Sequence, residues 1–118
     1  MEEEFKDKFN NTIKLTANQW NHILKEHPEV GAYKSRVSDV FTKPDLVKRS
    51  KRDKDTFLYY HYYKDIYKGK YLLVVARHGL LLTCYITDSS QKSKIFGTPK
   101  MQSIFDGIKE GDVIWKKD

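Results

Sequence analysis

The sequence predicts an α+β domain in which two N-terminal helices precede an antiparallel sheet of four to five strands. Three observations predict it. Apolar residues recur at helical spacing only before Pro44. Aromatic, β-branched and leucine-rich runs of strand length fill the stretch after Asp45. The breaks between the last three runs are short enough to join them as a meander.

In order along the chain, residues 1–11 read as a charged, frayed arm. A short strand at 12–15 leads into the first helix. There Thr16-Ala17-Asn18-Gln19 fits a capping box, with a hydroxyl at the cap and an amide three residues later. Trp20, Ile23, Leu24 and His27 share the inward-leaning face of this helix, which ends against Pro28. Pro28 is well suited to open a second helix, in which Val30, Tyr33, Val37, Val40 and Phe41 recur on one side before Pro44 stops the run.

Strands are predicted at 46–49, 57–63, 71–77 and 80–87, with a closing edge at 113–115. The segment 89–108 reads as an irregular loop with one helical turn at 101–105. A sheet packed on helices needs one apolar face and leaves the other free to be wet. In the run 80–87, Leu82, Cys84 and Ile86 point one way and Thr83, Tyr85 and Thr87 the other. In 57–63 nearly every position is aromatic, so either Tyr60 and Tyr62, or Tyr59, His61 and Tyr63, lie on the wet side.

Composition bounds the function. The 118 residues are 39 % hydrophobic and 14 % aromatic, enough for one core in a single domain spanning 1–118. No repeat or linker divides them. The lone Cys84 excludes a disulfide framework and a cysteine zinc site, which points to a reducing compartment. An acidic start, Met1-Glu2-Glu3-Glu4, and no apolar run of membrane length lead to the expectation of a cytoplasmic protein without a membrane partner. The net charge of +6 is concentrated: residues 43–77 carry ten basic and four acidic side chains, so this segment holds the whole excess. A basic concentration of that kind is an electrostatic footprint for a polyanion, or else a well-solvated surface.

Several strings, taken in order, carry a likeness. Ile13-Lys14-Leu15-Thr16, Trp20-Asn21-His22-Ile23-Leu24, His27-Pro28-Glu29, Lys43-Pro44-Asp45, Tyr59-Tyr60, Tyr71-Leu72-Leu73-Val74-Val75 and Thr83-Cys84-Tyr85-Ile86-Thr87-Asp88 together resemble the phage-associated nuclease branch of the Barnase–EndoU–Colicin–RelE (BECR) superfamily. Gly111-Asp112-Val113-Ile114-Trp115 adds to the resemblance, whereas 89–110 departs from it as a longer, variable insertion. The resemblance implies two N-terminal helices against a curved antiparallel sheet. It also implies metal-independent RNA cleavage without a cofactor, in a toxin or a phage or mobile-element effector that an inhibitor protein would cover.

Such cleavage needs a base for the ribose 2′-hydroxyl, cations for the crowded phosphorane and an acid for the leaving 5′-oxygen. His27 is the first candidate for base or acid, since imidazole titrates near neutral pH and belongs to the His-Pro-Glu string. A packed structural histidine is the plain alternative there, and His61 is the competitor. Arg49 and Arg77 are expected to hold phosphate oxygens, with Lys48, Lys51 and Arg52 steering the backbone. For Arg77 the register decides. A two-residue His78-Gly79 turn sets it opposite Leu80, on the apolar side with Val75, Leu82 and Cys84. A loop one residue longer moves it to the side of Thr83, Tyr85 and Thr87, and an arginine at the rim serves as well. Tyr85 and Thr87 would orient phosphate or give protons, while Tyr60 and His61 would contact nucleotides. No phosphate loop, nucleophile elbow or paired acidic ligand set occurs, so no metal is predicted. Two other classes compete: a non-catalytic nucleic-acid-binding module, and an interaction domain using exposed tyrosines.

Overall fold

The computed structural model of the chain describes residues 2–51, 53–88 and 111–117. Strands β1 (Glu2–Lys6) and β2 (Thr12–Thr16) form a hairpin, followed by helix α1 (Ala17–Glu26). A 3₁₀ stretch, Pro28–Arg36, and a short helix α2 (Val37–Thr42) come next. Strands β3 (Leu46–Ser50), β4 (Thr56–Tyr63), β5 (Lys70–Arg77), β6 (Leu80–Thr87) and β7 (Gly111–Lys116) complete the fold. The predicted helical turn at 101–105, and the insertion at 89–110 that contains it, lie outside the described residues.

Among the described residues the sheet has seven strands in the order β1-β2-β6-β5-β4-β3-β7, which corrects the expected four to five. It is also mixed, because β2 meets β6 in parallel through the single pair Lys14–Leu80. The added strands are β1, where a frayed arm was expected, and β2, the predicted short strand, which joins the sheet beside β6. Asn10 at φ 69° turns the chain, and the Asp7 carboxylate accepts from the backbone of Phe9 at 2.9 Å and of Asn11 at 2.8 Å. An acidic strand thus gains a local anchor, and Phe5 packs on Phe41 at 5.6 Å between ring centroids.

Helix α1 begins as predicted, with Thr16 Oγ1 accepting from Gln19 N at 3.1 Å. The reciprocal half of the box does not form; Gln19 Nε2 donates instead to the carbonyl of Leu82 at 2.5 Å. The second helix is a correction: residues 28–36 are 3₁₀, broken at Tyr33 (φ −117°, ψ 15°). Gly31 weakens an α-helix there. Regular α structure returns where Val37, Val40 and Phe41 are all buried.

The helix-side core gathers Ile13, Leu15, Ile23, Val40, Phe41, Val47, Tyr59, Leu72, Val74, Cys84 and Ile86. Strand alternation sends Leu46, Leu58, Tyr60, Leu73, Val75 and Tyr85 to the other face, where they form a second buried cluster. The face expected to be wet is therefore largely dry. No helix among the described residues is long and apolar enough to cross a membrane.

Candidate functional site

The helix end places the first residue of the site. Pro28 disfavours helical dihedrals at the residue before it, so α1 stops at His27, which takes φ −136° and ψ 69° as the C-cap. Its N–H still donates to the Ile23 carbonyl at 2.7 Å. From that cap the imidazole lies against Tyr85, with ring centroids 5.2 Å apart and planes 24° from parallel. The histidine is 3 % exposed, and burial lowers its pKa from the ordinary value near 6.5, opposed in part by Glu29 and Glu26. Nδ1 stands 3.9 Å from Glu29 Oε2.

Register then assembles the neighbours. Leu46 pairs with Tyr60, Tyr60 with Leu73 and Leu73 with Tyr85, which makes one row across four strands. Tyr62, Tyr71 and Thr87 form the next row, and Lys48, Leu58, Val75 and Thr83 the row on the other side. His27, Tyr60, Tyr85, Thr87 and Lys48 thus share one side of the sheet. Lys48 is 8 % exposed, its ammonium is 5.6 Å from the Tyr60 ring centroid, and burial lowers its pKa. Tyr60, Tyr85 and Thr87 are fully buried, and desolvation raises the Tyr60 phenol well above its usual range. Tyr60 consequently cannot stack on a base from this position.

Arg77 resolves its own ambiguity through a bulge. The turn is the two-residue kind, with His78 at φ 52° and Gly79 at φ 74°, and Arg77 faces Leu80. Yet Ala76 pairs with Leu81 and Val75 with Thr83, which leaves Leu82 as an extra residue in β6. The alternation of β6 flips there, so the β5 face that carries Arg77 and Val75 also carries Thr83, Tyr85 and Thr87. Arg77 sits at the exposed rim, ion-paired to Asp53 at 2.5 Å. It is four residues from Leu73 along β5, roughly 13 Å from the His27–Tyr85 row at strand rise.

Two expected members lie elsewhere. Arg49 shares the alternation of Val47 and stands over the Phe57 ring at 5.3 Å, on the helix side. His61 is on that side as well, 4.5 Å from the Tyr63 ring, with Nδ1 2.7 Å from the Lys43 carbonyl oxygen. Neither joins His27. Lys51 is exposed after β3, and Arg52 lies outside the described residues. A cleft of about 360 Å³ opens between Thr12, Phe57, Tyr59, Arg77 and His78, away from His27 and Tyr85.

Sequence reasoning missed Lys48 as a member of the buried set rather than an outer guide. The signal available was its parity with Leu46. Cys84 is buried and its thiol pKa is raised by desolvation, so it packs rather than reacts. Among the described residues, no three His, Cys, Asp or Glu side chains converge as metal ligands. Comparison of the chain with known families, curated proteins and solved structures finds no match.

Proposed function

We propose that the chain is a metal-independent endoribonuclease, in keeping with its resemblance to BECR-type nucleases. In that setting it would act as a toxin or as a phage or mobile-element effector held in check by an inhibitor protein. The observation that carries this reading is the stack of His27 on Tyr85, two residues from Thr87 in the same strand, with Lys48 on the same side of the sheet but three strands away.

The chemistry is balanced by these groups. Imidazole kept neutral by burial takes the proton from a ribose 2′-hydroxyl, and that oxygen attacks the adjacent phosphorus. The bond from phosphorus to the 5′-oxygen breaks, the leaving oxygen takes a proton from the Tyr85 hydroxyl, and the phenolate recovers a proton from the His27 imidazolium, which restores both groups. A 2′,3′-cyclic phosphate and a 5′-hydroxyl result. Thr87 orients a phosphate oxygen, and Lys48, three strands across on the same side, would hold the RNA backbone and not the phosphorane. Arg77 at the rim serves the backbone farther along the chain of nucleotides. Because Tyr85 and Thr87 are buried, the reaction requires that this face become accessible to RNA.

The test is incubation of the purified chain with labelled RNA in EDTA, followed by analysis of the product ends. Cyclic phosphate termini that disappear with the His27→Ala variant are the expected result. Intact RNA under all conditions overturns the proposal.

Two observations favour a second reading, a non-catalytic nucleic-acid-binding module. The groups proposed for catalysis are buried, while Arg49 and Lys51 are exposed away from them. That reading expects salt-sensitive RNA binding with no cleavage.

A further inference from the structure

We infer that Tyr62, braced by Tyr71 and Gly69, is the stacking platform for an unpaired base of a single-stranded RNA. The inference rests on the proposed function only for where the cut phosphate lies.

Tyr60 and Tyr62 occupy the same face of β4, yet Tyr60 is fully buried and Tyr62 is 44 % exposed. A large aromatic ring in water beside a polar set is the informative exception on this side of the sheet. Its position is held from three directions. Tyr71, opposite it on β5, meets it edge-on at 5.4 Å and 69°. The backbone N–H of Tyr62 donates to Asp45 Oδ2 at 2.6 Å. The phenol end lies against Gly69, where an added Cβ would collide with the hydroxyl. A ring fixed in this way loses little freedom when a base lies on it.

Charge around the ring suits a phosphodiester. Lys64 and Lys68 are exposed nearby, and the adjacent Asp65 carboxylate is occupied by Arg36 at 2.8 and 2.6 Å. Position suits it too. Tyr71 pairs with Thr87, two residues beyond the Leu73–Tyr85 pair, or about 7 Å along the strand. Tyr62 also lies two strands across from Thr87, so it stands roughly 12 Å from Tyr85, and a base farther along the RNA, not the one next to a phosphate at His27, reaches its ring. Stacking on an aromatic ring is indifferent to base identity, so the platform reads the single-stranded state and not the sequence.

The test separates this inference from the catalytic one. The probe is a short single-stranded RNA, 2′-O-methylated throughout so that no 2′-hydroxyl can attack, with fluorescence anisotropy as readout at two salt concentrations. Tyr62→Ala is expected to weaken binding by roughly fivefold or more, with an unchanged salt slope. Tyr62→Phe, and Tyr67→Ala at another exposed tyrosine, are expected to bind as the parent does. Removing the bases from the probe should cost the parent chain as much as Tyr62→Ala does. A Tyr62→Ala variant that binds within about twofold of the parent, an equal loss in Tyr62→Phe, or no binding by the parent overturns the platform. Tyr62-dependent binding without cleavage of unmodified RNA supports the platform and removes the nuclease. Cleavage without Tyr62 dependence does the reverse.

Discussion

The His27 imidazole and the Tyr85 phenol, brought from a helix cap and a central strand, lie nearly parallel with ring centroids 5.2 Å apart. If these rings carry the proton transfers, His27→Ala lowers the cleavage rate by about 10²- to 10⁴-fold. Tyr85→Phe keeps a ring against the imidazole but lacks the hydroxyl, and should lose on the order of 10²-fold. Circular dichroism on both variants checks that the fold persists. Cleavage by Tyr85→Phe at the parent rate removes the phenol from the mechanism.

The pH dependence of His27 has a defined sign. Burial lowers its pKa in the folded chain, so between that value and about 6.5 the unfolded chain binds more protons. Its contribution to stability is present above about 6.5 and is lost as pH falls through the folded value. Denaturant midpoints should therefore fall on acidification through this window, and fall less in His27→Gln. As a base, His27 also predicts a cleavage rate that rises with pH on the acidic side and levels off before neutrality. A rate that instead falls through that range assigns His27 the acid role.

Arg49 and Arg77 are separated by the sheet, which distinguishes them in cleavage assays. Arg49→Ala should leave the rate on a dinucleotide within about twofold, because its guanidinium stands over Phe57 on the helix side. Arg77→Ala should act on longer RNA through KM, since the rim lies beyond the reach of a dinucleotide at the His27–Tyr85 row. Loss of dinucleotide cleavage in Arg49→Ala as severe as in His27→Ala means that the reacting groups are on the wrong side of the sheet.

Much of this arrangement was legible in the residues, and the gaps have physical causes. Strands β4, β5 and β6 announce themselves because aromatic and β-branched side chains bounded by short turns have few other uses. The parity of Thr83, Tyr85 and Thr87 was readable for the same reason. Helix α1 was framed by Thr16 and Pro28, and Pro28 also marked where His27 would be left. Strand β1 was not visible, since its pairing depends on a turn built by Asp7 and Asn10 and not on its own acidic residues. In β3, Leu46-Val47-Lys48-Arg49 shows no apolar–polar alternation, so only parity with Leu46, and not polarity, separated Lys48 from Arg49. The choice of Arg49 followed guanidinium chemistry, and the pleat favoured Lys48. The bulge at Leu82 leaves no mark in the sequence, yet it alone reconciles a tight His78-Gly79 turn with an arginine on the Tyr85 side.

A buried carboxylate tests the N-terminal hairpin. Asp7 Oδ2 accepts from the Tyr59 hydroxyl at 2.7 Å and from Asn11 Nδ2 at 3.1 Å, while Oδ1 takes the two backbone donors of the turn. Asp7→Ala should lower unfolding free energy by about 2–4 kcal/mol and Tyr59→Phe by about 1–2 kcal/mol. Urea titration with an unchanged m-value measures both. Equal stability of Asp7→Ala and the parent means the hairpin does not depend on this carboxylate.

The β5–β6 turn offers a gain. His78 holds a left-handed conformation that costs a branched or bulky residue more than asparagine, and Gly79 already supplies the second position. Its contact with Asp55 at 3.7 Å is exposed and contributes little. His78→Asn should raise stability by about 0.5 kcal/mol, read as a higher melting temperature. A lower one shows that His78 makes a contact worth more than the turn preference.

The single parallel bridge between β2 and β6 also sets an order of events. Strands β4 to β6 join neighbours in the chain and can zip locally, whereas the N-terminal unit must return over a long loop to dock against the last of them. The two halves of the proposed reaction centre belong to these separately forming pieces. If the proposed centre is the reacting one, its two halves meet only once the N-terminal unit has docked on β6.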